Sequence, residues 1–191
     1  VQTCALPILW KPIVLEADGY YTANDFDSNG KLNANLPQPR FGRVAPGDIK
    51  YKDYNNDQVV DENDAHPIGN STVPAWNYMF SGGFKYKSFD FSVMFQGVAQ
   101  RDIYLRGANI YSFQNNGTAS NLALDSWTPT HTDASYPRLS TMNFSNNYRT
   151  STFWRRNGSF LRLRNIQVGY ELANSVTRAL RLSSVYFYMN A

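Results

Sequence analysis

The chain has 191 residues and a net charge of +3, with 17% charged and 15% aromatic residues and a mean hydropathy of -0.47. That balance is too aromatic for a disordered segment, and no apolar run approaches the roughly 18 residues of a membrane-spanning helix. Lys and Arg are scattered apart from Arg155-Arg156 and the Arg162/Arg164 pair, so the basic stripe that nucleic acid demands is absent. Polar but weakly charged composition suits a β-barrel, whose strands give weak hydropathy signals because their faces alternate.

The first eight residues, Val1-Gln2-Thr3-Cys4-Ala5-Leu6-Pro7-Ile8, match the in-frame translation of a short-read sequencing adapter. We set them apart from fold reasoning as one would a cloning scar. Without Cys4 the chain has no cysteine, hence neither disulfide nor thiol chemistry. On this reading residues 9–191 are a partial barrel domain, and no shift in composition marks a second domain. Residues 9–43 are polar and rich in Gly, Asn, Asp and Pro. Tyr20-Tyr21-Thr22 is a short strand candidate, and Asp25 to Lys31 reads as turn chemistry. Pro37, Pro39 and Pro46 argue against long regular structure there.

Strand-like Ile49-Lys50-Tyr51 leads into an acidic loop at 53–64. Asp53, Asn55, Asp57, Asp61 and Asp64 put side-chain oxygens at loop positions 1, 3, 5, 9 and 12, and Val59 can offer its carbonyl at position 7. A hard cation needs six to eight oxygens, and this spacing converges them in calcium loops. Calcium is therefore the candidate cofactor. Gln58 stands where such loops place glycine, and a left-handed turn there costs about 1–2 kcal/mol. Asp64 is a shorter arm than the usual glutamate. The competing reading is a solvated acidic turn held by Asx hydrogen bonds.

Residues 76–97 carry the clearest periodicity. Trp76, Tyr78, Phe80, Gly82, Phe84 and Tyr86 alternate with Asn77, Met79, Ser81, Gly83 and Lys85. After Lys87-Ser88, Phe89, Phe91, Val93, Phe95 and Gly97 alternate with Asp90, Ser92, Met94 and Gln96. Period two predicts two antiparallel strands joined by a tight turn. Each has the roughly 9–11 residues a tilted strand needs to cross a bilayer, with aromatics toward the ends. A hairpin in a soluble sandwich fits the alternation as well. The long polar stretch 98–150 favours the barrel, where external loops are long and periplasmic turns short. The acidic loop is then extracellular and Lys87-Ser88 periplasmic. In 159–172, Leu161 and Leu163 share a face opposite Arg162 and Arg164, and Ile166, Val168 and Tyr170 continue with parity shifted by one. A bulge near Asn165 would restore one apolar face and turn both arginines to the lumen. A short helix or turn at 173–182 and a strand from Val185 complete the pattern. The fold class expected is all-β: antiparallel strands of a fragment of a large transmembrane β-barrel.

Five stretches in order resemble the SusC/RagA-like TonB-dependent outer-membrane transporters. They are Gly47-Asp48-Ile49-Lys50-Tyr51-Lys52-Asp53 with Asn55 and Asp57, Pro67-Ile68-Gly69-Asn70, and Phe89 to Gly97. Trp127-Thr128-Pro129 with Tyr136-Pro137-Arg138, and Asn157 to Ile166, follow. The resemblance implies a C-terminal part of a 22-stranded plugged barrel in the bacterial outer membrane. It also implies TonB-driven import of glycans or peptides and a SusD-like surface lipoprotein as partner. The residues themselves, with no nucleophile motif and no metal-hydrolase spacing, lead us to expect no enzyme. His66 and His131 lie apart in polar loops and read as solvated, with no nucleophile motif nearby. The alternative function is a secreted calcium-stabilised β-sandwich that binds carbohydrate through acidic loops and exposed aromatics such as Trp127 and Trp154.

Overall fold

The computed structural model describes residues 11–141, 146–179 and 181–191; Val1 to Ile8, with Cys4, lie outside the described residues. The chain forms two compact units: residues 11–70 with Asp102–Asn157, and Ser71–Arg101 with Gly158–Ala191. Both are interrupted in sequence, which is why no local change in composition marks them.

The second unit is one four-stranded antiparallel sheet. Its strands are β1 (Trp76–Tyr86), β2 (Phe89–Ala99), β3 (Phe160–Glu171) and β4 (Tyr186–Asn190), in the spatial order β4-β3-β2-β1. The two-residue turn at Lys87-Ser88 joins β1 to β2, with Lys87 in the left-handed region at φ 54°. A six-residue helix, Asn174–Ala179, connects β3 to β4. Residues opposite one another across an antiparallel pair share a face. Phe80 faces Phe95, Gly82 faces Val93 and Phe84 faces Phe91, and the series continues as Leu163 opposite Phe95, Ile166 opposite Val93 and Val168 opposite Phe91. The register shifts between Leu163 and Asn165, and this bulge returns Ile166, Val168 and Tyr170 to the face of Leu161 and Leu163. One face is thus apolar from end to end. Nothing in this unit covers it: Phe80, Phe84 and Leu161 stay 62%, 65% and 61% exposed. A sandwich strand would bury that face against a second sheet, and the other sheets among the described residues are two-stranded.

Tyr78 lies across Gly97, where an added Cβ would sit 2.4 Å from the ring, and its hydroxyl donates to the Phe160 carbonyl at 3.2 Å. Tyr186 covers Gly169 on the opposite face and donates to Asp90. Each glycine makes room for a cross-strand ring, so a small residue inside a strand here adds packing rather than removing it.

The first unit has short strands and a real core. Ala17–Tyr20 pairs with Ile49–Tyr51, Ile13–Val14 with His66–Pro67, and Asp102–Tyr104 with Arg155–Asn157. Gln38–Pro39 and Val59–Val60 form a parallel exception to the expected antiparallel pattern. The strand expected at Tyr20-Tyr21-Thr22 lies earlier, at Ala17–Tyr20; Tyr21 is instead buried with Leu32 and Val44. Leu15, Phe41, Ile49, Tyr51, Val60, Tyr111 and Trp154 make the main core. The stretch 98–150 is therefore not a simple loop. It opens with the end of β2, adds the Asp102–Tyr104 strand and contributes Tyr111 to this core. The turn at Asp25 to Lys31 forms as expected, with Asp27 accepting from the backbone of Asn29 and Lys31.

Candidate functional site

Three arrangements position polar side chains in ways the strands alone do not explain. The first is the acidic loop. Asp53 accepts from the backbone N–H of Asp57 at 3.2 Å and of Gln58 at 2.8 Å. Asn55 accepts from Asp57 N–H, and Asp57 accepts from Val59 N–H at 2.9 Å. Asp61 accepts from Asn63 N–H and caps the short 3-10 turn Glu62–Asp64. Asp64, 1% exposed, ties Tyr54, Asn55 and Asp61 together through their N–H groups. Asn56 and Gln58 sit in the left-handed region at φ 60° and 64°. Gln58 thus takes the conformation that a calcium loop reserves for glycine. Asp53, Asn55 and Asp57 come together at one turn while Asp61 and Asp64 close its far side. Among the described residues no three His, Cys, Asp or Glu side chains converge as a metal cluster. The donors are all hard oxygens, and a carboxylate oxygen that accepts one backbone N–H keeps a second lone pair.

The second arrangement is a buried polar knot, which sequence reading did not foresee. Asp48 is fully buried and meets Arg138 Nε at 2.7 Å. It also accepts from Asn147 Nδ2 at 2.8 Å and from Ala45 N–H at 2.8 Å. Asn147 accepts from Ile49 N–H, and its carbonyl accepts from the Trp154 indole. Asn146 donates to the Ile49 carbonyl, and its own carbonyl accepts from the Tyr51 hydroxyl. Trp127 lies on Gly47, which sits at φ +88° with no room for a Cβ. Residues far apart in sequence therefore meet at one point: the Gly47-Asp48-Ile49 segment, Trp127, Arg138 and the Asn146-Asn147 pair. Pro67-Ile68-Gly69-Asn70 works in the same way. Gly69 turns at φ +81° against Asp102 and Arg155, and Asp102 accepts from Asn70 N–H at 2.8 Å. Trp127 and Trp154 are 9% and 2% exposed, so neither is the exposed sugar platform that the binding-module alternative required. The cleft beside this knot, lined by Tyr111, Tyr136, Arg138 and Tyr148, holds about 30 Å³, room for a water or two but no ligand.

His66 is not solvated as expected. Its ring stacks on Tyr54 at 4.0 Å between centroids, and Nδ1 lies 3.1 Å from the Asp64 carbonyl. His131 is exposed, but its Nε2 meets Asp125 at 2.9 Å and its Nδ1 lies 3.5 Å from Asp133. Hydrogen bonds from Ser135 and His131 hold the Asp125 carboxyl below its ordinary value, and the bond to Asp125 holds the imidazole above its own. The His131 contribution is whole below an ordinary imidazole value of 6.5 and is lost as pH rises through the raised one. The Asp125 contribution is whole above 3.8 and is lost as pH falls through the lowered one. The pin across the turn is therefore strongest between those two ordinary values. In a titration of the His131 ring followed by NMR, Asp125→Asn is expected to lower its pKa; an unchanged titration would contradict the pairing.

The third arrangement is the polar face of the sheet. Lys85 meets Glu171 at 3.0 Å, and Tyr186 and Asp90 pair beside them. Further along β3, Arg162 and Arg164 both donate to the one side-chain oxygen of Gln96. Both arginines thus occupy the face opposite the apolar one, as the parity required.

No protein-family model matches the chain. It is 26% identical over 152 residues to TonB-dependent receptor P3 of Formosa agariphila, a match that covers 78% of this chain and 14% of that protein. Its fold is similar to solved structures of RagAB. The TM-score is 0.60 for the RagAB peptide transporter and 0.58 for the RagAB peptide importer in its closed-closed state, at 17% and 16% identity. Each likeness covers 93% of this chain and 18% of the other. The resemblance is thus borne out in sequence toward a TonB-dependent receptor and in fold toward the SusC/RagA-like RagAB, and the chain spans less than a fifth of the length of these relatives.

Proposed function

We propose that this chain, similar as it is to SusC/RagA-like proteins, forms part of the barrel wall of a TonB-dependent transporter in the bacterial outer membrane. The whole protein imports glycans or peptides with a SusD-like surface lipoprotein, and TonB energises it. The observation that carries the reading is the two-faced sheet. Strands of 11, 11 and 12 residues have spanning length, one face is apolar throughout, and the other holds every charged side chain of the sheet. Aromatic side chains stand at both ends of the apolar face, with Trp76 and Tyr78 at one and Tyr86, Phe89 and Tyr170 at the other. That the structural neighbours are a peptide importer brings peptides forward among the cargoes. The reading involves no catalytic residue.

The test is to tag the full-length gene at its locus, fractionate membranes and purify under mild detergent. The protein is expected in the outer-membrane fraction with a surface lipoprotein, and its deletion is expected to abolish growth on one glycan or peptide source. Recovery in the soluble fraction, alone, would overturn the reading.

The acidic loop is read as a brace whose geometry a calcium ion fixes, held by the oxygens of Asp53, Asn55, Asp57, Asp61 and Asp64 and the Val59 carbonyl. Its hydrogen-bonded turn supports the reading by setting Asp53, Asn55 and Asp57 side by side, and a bound ion would draw the remaining donors in around them. In the intact protein, Asp57→Ala is expected to weaken calcium binding at least tenfold and to speed proteolysis within 53–64. Protease sensitivity that is identical with and without calcium would sink this role.

A further inference from the structure

Resting on the transporter reading, we propose that Arg162, Arg164 and Gln96 form a station on the lumenal wall for carboxylate-bearing cargo. The bulge creates it. Arg162 stands opposite Gln96 in register, and Arg164 is the extra residue at the register shift between Leu163 and Asn165. A regular strand would keep the two arginines in one row. The bulge also frees the second of them from a cross-strand partner and swings it beside the first, so that both reach the same oxygen. The bulge that repairs the apolar face therefore pairs two guanidinium groups on the polar one.

Neither arginine has a carboxylate partner among the described residues. The acids of this face, Asp90 and Glu171, are taken by Tyr186 and Lys85. Asp90 is also six residues from Gln96 along β2, about 20 Å away at strand rise. Two like charges side by side, sharing one neutral acceptor, leave a local excess of positive charge. Both side chains are exposed, so water tolerates them between visits of a ligand. They are also held in place. Gln96 takes one N–H from each, and the Arg162 guanidinium lies 5.4 Å from the Phe160 ring centroid. The remaining N–H groups of the two forks are left to a planar oxyanion. Carboxylate is the partner that such forks bind in bidentate fashion, and a lysine pair would not reproduce this. Charge complementarity thus selects acidic cargo, either a uronic-acid glycan or an acidic peptide.

The test uses the full-length transporter in its own cell, with uptake measured for four probes. These are an oligogalacturonate, a neutral oligosaccharide of equal length, a glutamate-rich peptide and its glutamine counterpart. Wild type is expected to take up the acidic glycan or the acidic peptide, and which of the two enters identifies the source of the carboxylate. R162Q/R164Q is expected to reduce that uptake at least tenfold, and R162K/R164K to reduce it less while assembling normally in the membrane. Uptake confined to neutral probes, or acidic uptake unchanged in R162Q/R164Q, overturns the station and leaves the transporter reading standing. Uptake of no probe, together with normal growth of the deletion strain on every nutrient source tried, overturns both. If R162Q/R164Q fails to assemble while R162K/R164K assembles, the pair serves a resident carboxylate elsewhere in the protein, and the cargo station is overturned.

Discussion

Asp48→Ala is expected to destabilise the first unit by about 3–5 kcal/mol, the cost of stripping one partner from a buried charged pair. The side chain of Asp48 has no exposed surface, and Arg138 is only 22% exposed. Truncation takes the Asp48 carboxylate from the Arg138 guanidinium, the Asn147 amide and the Ala45 N–H at once. The loss spreads because Asn147 also receives Ile49 N–H and its carbonyl receives the Trp154 indole. Arg40→Ala supplies the contrast. Arg40 is 71% exposed and meets Asp61 at 3.6 Å, so its removal should cost below about 1 kcal/mol. Hydrogen exchange of the intact protein, read in peptides covering Ile49 and Trp154, checks both. Asp48→Ala should speed exchange by roughly two to four orders of magnitude, at about 1.4 kcal/mol per decade. Equal rates in the two variants would show that the knot holds nothing.

Val93→Arg is expected to cost about 2–4 kcal/mol of barrel stability, the penalty for arginine at a lipid-facing midplane. Val93 lies mid-strand, with Gly82 and Ile166 beside it on the apolar face. Ser81→Arg, opposite Met94 on the polar face, should cost close to nothing because its side chain is exposed there, on the face that the transporter reading turns to the lumen. Denaturant titration of the intact barrel, followed by its heat-modifiable migration on gels, measures both. Similar losses at the two positions would mean that the faces are not as assigned.

The sheet was legible in the sequence because strand periodicity is local. Parity alone placed Phe89 to Gly97 against Trp76 to Tyr86, located the bulge near Asn165 and turned Arg162 and Arg164 away from the apolar face. The first unit was not legible, because its organising contacts run between distant residues. Asp48 and Arg138 lie 90 residues apart, and Asn147 lies 99 residues from Asp48. Asn146-Asn147 sits in a polar stretch that carries no periodic signal, yet it is buried. Asp48 stood within a recognisable motif, but nothing local said that its carboxylate would be enclosed. Exposure was misjudged for the same reason: Trp154, His66 and Trp127 look solvated in polar surroundings until the chain returns to cover them. The acidic loop was legible in its residues and turn, since Asx hydrogen bonds close within five positions of each other.

The central claim is that the sheet is a barrel wall with lipid on one side and lumen on the other. Single-cysteine variants at each position from Asp90 to Gln96, in the full-length protein in native membranes, test it most directly. Spin labels on them would be challenged with oxygen, which dissolves in lipid, and with a water-soluble paramagnetic complex. The account predicts strict alternation: positions 91, 93 and 95 relax with oxygen, and positions 90, 92, 94 and 96 with the polar complex. Uniform accessibility to the polar complex, or alternation with the opposite parity, would contradict it.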